Sequence, residues 1–201
     1  MYPANKEKFG KIYRACRSVL GADTWDRFLG VCVADPDTGS FPDTLALYMN
    51  NLGLPGFLSE LARLEWNLHQ MDSDKYEIPS EIGQLCVNPT VRLLQLSWKN
   101  LPAILDPQRE TPSVTPEPGE ELVLAWQSPQ TAEAKIKATS DGDLLALKIV
   151  MEGIDPAEVA AAEKVPVGAV DAALDAAIEK VRVQRALQRA RRRDRQFLTV
   201  A

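Results

Sequence analysis

Between Leu54 and His69 the chain reads LPGFLSELARLEWNLH, and this stretch limits the possible folds more than any other. At 100° per residue Leu54, Phe57, Leu58, Leu61, Leu64 and Leu68 share one arc, while Ser59, Glu60, Arg63, Asn67 and Gln70 share the other. The spacing predicts a core-facing helix entered through Pro55. Glu65 breaks the pattern, because it falls inside the apolar arc beside Leu61 and Leu58. A carboxylate aimed into a core must find a partner or take up a proton. The expected partner is a neighbouring backbone amine, an arginine, or His69, which follows one turn later on the same side. Glu65 and His69 are therefore expected to be buried polar residues with a structural role.

A metal or acid/base pair at Glu65 and His69 would need further ligands. His69 is the single histidine, and Cys16, Cys32 and Cys86 are scattered without a CxxC pair. Asp72, Asp74 and Glu77 follow His69 closely, but an acidic loop after a helix is ordinarily solvated. An inward His69 is poorly placed for a Ser–His or Cys–His pair, and no Gly-rich phosphate loop is present. The expectation is a chain that is not an enzyme and carries neither metal nor cofactor. Reduced thiols and the absence of an apolar leader or an 18-residue apolar run point to a cytoplasmic protein without membrane association.

Residues 5–20 place Phe9, Ile12, Tyr13, Cys16, Val19 and Leu20 at helical spacing, with Gly21 as a stop. Asp23 is a cap for a second helix through Trp25, Phe28, Leu29 and Val33. After a turn-rich loop at 34–42, Asp43 to Asn51 is a short apolar segment ending at Gly53. The first ~70 residues thus read as helix after helix. From Val91 to Trp98 the pattern alternates, as in a strand with one buried face. Pro107, Pro112, Pro116 and Pro118 mark an extended linker. Beyond it, ELVLAWQ (121–127) and AEAKIKATS (132–140) read as a hairpin. Three helices follow: one capped by Ser140 and Asp143 and stopped by Gly153, one opened by Asp155 and Pro156, and one carrying Val170, Leu174, Ala177 and Ile178. The fold expected is α+β. It has a mainly helical N-terminal domain (1–105), a Pro-rich linker (106–119), a small winged-helix-like domain (120–181) and an Arg-rich C-terminal helix or tail (182–201).

The segment Leu61-Ala62-Arg63-Leu64-Glu65-Trp66 resembles the HvfC/BufC family. So does Val87-Asn88-Pro89-Thr90-Val91-Arg92-Leu93-Leu94 followed by Trp98. These are partner proteins of multinuclear non-haem iron-dependent oxidative (MNIO) enzymes that modify ribosomally made peptides. The resemblance covers roughly residues 40–180 and implies a helical N-domain joined to a PqqD-like peptide-recognition domain. It implies that the iron and the chemistry belong to the partner enzyme, while this chain holds the precursor (leader) peptide. Lys135, Ile136 and Lys137 on the second hairpin strand, with Val170, Leu174 and Ile178 on the last helix, are the expected peptide-binding residues.

Strand–strand–helix–helix–turn–helix is also how a winged-helix DNA-binding regulator is built, and that is the alternative. Charge argues against it. Seven arginines against Asp194 give segment 182–195 a charge of +6, so a chain of net charge −5 is otherwise −11. The outer face of the last helix would show Asp171, Asp175 and Glu179, which repel a duplex.

Overall fold

The computed structural model describes residues 3–32, 38–74, 87–105, 115–128 and 131–176. Ile178, the Arg-rich segment, Cys86, Glu77 and the linker residues 106–114 lie outside the described residues. The chain divides into two compact units. The first comprises Met1–Asp74, Leu93–Leu124 and Ile136–Ala138, and the second Lys75–Arg92, Ala125–Lys135 and Thr139–Ala201. Helix and sheet are mixed, as an α+β class requires. The division does not fall in the Pro-rich segment. It runs across the strands.

In the first unit the helices are α1 (Pro3–Ile12), α2 (Arg14–Leu20), α3 (Ala22–Cys32), α4 (Phe41–Leu52), α5 (Leu58–Ser73) and the short α6 (Leu101–Leu105). The single helix expected over 5–20 is two, because Tyr13 leaves the helix at φ −103°, ψ 52°. Gly21 stops α2 at φ 73°, as its lack of a Cβ allows. Asp23 lies within the first turn of α3 rather than capping it. Around Phe41, ring centroids of Phe9, Tyr13, Trp25 and Phe28 lie at 5.3, 4.3, 5.6 and 5.7 Å. These aromatic contacts, with buried Leu29, Leu45, Leu58 and Leu61, make the core that holds α1 to α5 together.

Helix α5 starts at Leu58, later than the sequence pattern indicates, because Leu54 to Phe57 form a turn closed by the Leu58 amide on the Pro55 carbonyl. That turn lets Phe57 meet Trp98 edge-on, with centroids 5.8 Å apart. The approach at Gly56 is close: a Cβ would stand 3.0 Å from the Trp98 ring, which would have to shift by a few tenths of an ångström.

Three strands, β1 (Arg92–Lys99), β2 (Glu117–Gln127) and β3 (Ala134–Ala138), form one antiparallel sheet in the order β1-β2-β3. The hairpin expected at 121–127 and 132–140 therefore gains a third strand. β2 begins at Glu117, inside the segment read as linker. In β1 the alternation holds, with Leu94, Leu96 and Trp98 toward the core and Leu93 49% exposed. The free edge of β1 is met by α5: Glu60 accepts from the Ser97 amide at 3.0 Å and from its hydroxyl at 2.6 Å.

In the second unit α7 (Asp141–Glu152), α8 (Pro156–Glu163) and α9 (Val167–Ala176) pack together, with Ala146, Ile149, Ala160, Val170 and Leu174 buried. Ser140 and Asp143 form the expected reciprocal cap on α7, Ser140 Oγ accepting from the Asp143 amide at 3.2 Å and Asp143 Oδ2 from the Ser140 amide at 3.0 Å. Asp155 caps α8 by accepting from the Ala157 amide at 2.8 Å.

Residues Asn88 to Thr90 form a buried polar latch in the same unit. Asn88 Oδ1 accepts from the Thr90 amide (3.0 Å) and hydroxyl (2.7 Å), and Asn88 Nδ2 donates to the Gln127 carbonyl at 2.9 Å. Thr90 Oγ1 accepts in turn from the Gln127 amide at 2.9 Å. Every one of these groups is out of water, so the network is costly to break. Asn88→Ala is expected to destabilise the protein by about 2 kcal/mol, measured by urea unfolding, since it strands two donors and an acceptor. An unchanged midpoint would mean that the latch is open in solution.

Candidate functional site

Glu65 is 6% exposed and lies beneath the start of α2. The break at Tyr13 frees the first amides of that helix, and no side chain of the N-cap residue takes them. Glu65 does. Its Oε1 accepts from the Ala15 amide at 2.5 Å and its Oε2 from the Cys16 amide at 3.1 Å. A residue fifty positions away thus caps the helix, favoured by the partial positive charge of a helix N-terminus. Of the partners open to it, a backbone amine is the one found.

Burial pushes the Glu65 carboxyl above the ordinary glutamate value, against the opposing pull of the Ala15 and Cys16 hydrogen bonds and of Arg14. The Cys16 thiol is fully buried and donates to the Leu58 carbonyl at 3.7 Å. Burial first, and the Glu65 charge second, push its pKa well above the usual thiol range. Such a thiol is inert. Cys16 is expected to resist alkylation by iodoacetamide in the folded protein and to react on unfolding in urea. Labelling of Cys16 without denaturant, read by peptide mass mapping, would contradict this placement.

His69 is not buried as expected. Met71 takes the core-facing position in the last turns of α5, leaving Leu68 and His69 half-exposed at the margin. The imidazole leans on Trp66, with centroids 5.5 Å apart, and faces an open cleft of about 460 Å³. Lys11, Arg14 and Ser18 of α1 and α2 line the same cleft, together with Ile104 and Leu105 of α6. Helix α6 was not legible in the sequence, being five residues long and sandwiched between Asn100 and the Pro-rich segment. Among the described residues no three His, Cys, Asp or Glu side chains gather as a metal site would require.

The expected peptide-binding residues differ in exposure. Lys135 and Lys137 are half-buried on β3. Between them Ile136 is partly buried, packed against the core of Leu64, Leu96, Leu101 and Val123. Val170 and Leu174 are 2% and 6% exposed, and burial among α7, α8 and α9 makes them core rather than groove wall. Ile178 lies outside the described residues.

The backbone of β3 has a defined register. The Ser128 amide donates to the Glu133 carbonyl at 2.8 Å, and the Ala132 amide to the Ser128 carbonyl at 2.8 Å, with Ala132 at φ 57°. This is a bulge with a left-handed residue at the hairpin turn. Antiparallel alternation from that pair turns the backbone groups of Lys135 and Lys137 toward β2 and those of Ile136 and Ala138 away from it. Among the described residues no strand lies beyond β3.

Set against known families and characterised proteins, the sequence matches no family and no individual protein. No helix among the described residues is long and apolar enough to cross a membrane.

Proposed function

We propose that this chain is the non-catalytic partner subunit of an iron-dependent oxidative enzyme, binding a ribosomally made precursor peptide and presenting it for modification. The observation that carries the reading is the edge position of β3, with the Ile136 and Ala138 backbone groups aimed outward. An edge of this kind pairs with an extended peptide through main-chain hydrogen bonds. The other edge of the sheet is less open to such pairing, since Glu60 engages the Ser97 amide. Lys135 and Lys137 beside the β3 edge favour an acidic leader segment.

In this reading the hairpin β2–β3 and helices α7 to α9 are a winged-helix-like, PqqD-like recognition element. The helical part built on α5 meets the enzyme, and the iron and the oxidation chemistry belong to that enzyme in the cytoplasm. The test is reconstitution of precursor modification by an MNIO enzyme encoded beside this chain, with and without the chain present. Modification should fall to background without it. Equal product in both reactions would refute a presenting role.

A further inference from the structure

The cleft at His69 plays no part in strand pairing on β3, yet it has the makings of a second binding site. It measures about 460 Å³, within the range of small-ligand sites, and it lies wholly in the first unit. Its walls are of two kinds. Leu68, Ile104 and Leu105 give an apolar side, while Arg14, Ser18 and His69 give hydrogen-bond donors.

The charges select the ligand. Lys11 is already engaged by Glu7 at 2.7 Å. The Arg14 guanidinium has no hydrogen bond or ion pair among the described residues and feels the Glu65 carboxylate, which the α2 amides already hold. An exposed guanidinium fork beside apolar surface is matched to a planar oxyanion. Asp72 in the same cleft adds a negative charge, which opposes a phosphate dianion more than a monocarboxylate.

We infer that this cleft binds a monocarboxylate with an apolar body, the carboxylate on Arg14 and His69 and the body against Leu68, Ile104 and Leu105. The same chemistry is offered by a free aliphatic acid and by the terminal carboxylate of an apolar peptide.

His69 is the only histidine, so its imidazole NMR signals report this cleft without ambiguity. The full chain is titrated with hexanoate, hexanamide, acetyl-Leu-Leu and the amide of acetyl-Leu-Leu. At usual binding energies per atom hexanoate is expected to shift the His69 signals saturably with Kd of about 1 mM. Hexanamide should bind about tenfold more weakly, and Arg14→Gln should weaken hexanoate about tenfold, the worth of one charge-assisted contact. Tighter binding of acetyl-Leu-Leu than of hexanoate assigns the cleft to a peptide terminus; the reverse assigns it to a free acid. The inference is overturned if neither acid shifts His69 saturably, or if the amides bind as well as the acids. The amide comparison needs no change to the protein, so it stands even if Arg14→Gln weakens the fold.

Discussion

Glu65→Ala is expected to destabilise the first unit by about 2–4 kcal/mol, because it strands the part-buried Ala15 amide and the buried Cys16 amide at the start of α2 and leaves a void beneath them. The carboxylate joins α5 to the break at Tyr13, so its loss frays α2 and loosens the Phe41 aromatic cluster that Tyr13 enters. Glu65→Gln keeps one acceptor and is expected to cost roughly half as much on the same reckoning. The dependence on pH has a definite sign. Because the carboxyl value is raised in the fold above the ordinary 4.5, the folded chain holds this proton where the unfolded chain has released it. Stability supplied by Glu65 is therefore present below the ordinary value and declines as pH rises through the raised one. The deficit of Glu65→Ala relative to wild type should accordingly widen as pH falls from neutral toward 4.5. Urea unfolding at several pH values measures both effects. An unfolding midpoint unchanged by Glu65→Ala would mean that the carboxylate does not cap α2.

How far such features are legible in sequence depends on the range of the interaction that fixes them. Ser140, Asp143, Asp155 and Gly153 act within a few residues, so their caps can be read directly, and the alternation of Leu94, Leu96 and Trp98 sets its own face. Glu65 is legible as a problem, a carboxylate in an apolar arc, but its solution depends on an unrelated segment. The same contact explains why residues 5–20 are two helices: an apolar spacing says nothing of an acceptor waiting beneath Tyr13. The helical wheel turns His69 inward because it assumes that the core follows α5 to its end, and Met71 takes that side instead. Asn88-Pro89-Thr90 stood out as a motif, yet its work as a latch on Gln127 depends on strand pairing that no local pattern encodes. The helical spacing of Val170 and Leu174 suits a core face as well as a groove wall, and their burial decides for core. The cleft was not legible at all, since Arg14, His69 and Ile104 come from three segments brought together only by folding.

A proline in β3 is expected to weaken precursor binding at least tenfold, because it removes one outward amide and places a ring where the added strand would run. Ile136→Pro deletes such a donor but also withdraws a side chain packed against the core cluster of Leu64, Leu96, Leu101 and Val123, so its effect mixes binding with folding. Ala138→Pro is the cleaner substitution. Ala138 is exposed, its amide faces away from β2, and it sits at the end of the strand where a fixed φ is tolerated. Affinity of the wild type for an extended leader should be on the order of micromolar, since the peptide pays its ordering entropy on binding. Replacing Lys135 and Lys137 by glutamine should weaken binding of an acidic leader more at low salt than at high salt.

The most direct measurement is calorimetric titration of the cognate precursor peptide into wild type and into Ala138→Pro, with a duplex DNA titration alongside. Micromolar precursor binding by the wild type, lost in a folded Ala138→Pro variant and absent for DNA, is the expected result. Equal precursor binding by both proteins would contradict strand addition on β3, and tight binding of duplex DNA in its place would make the chain a regulator.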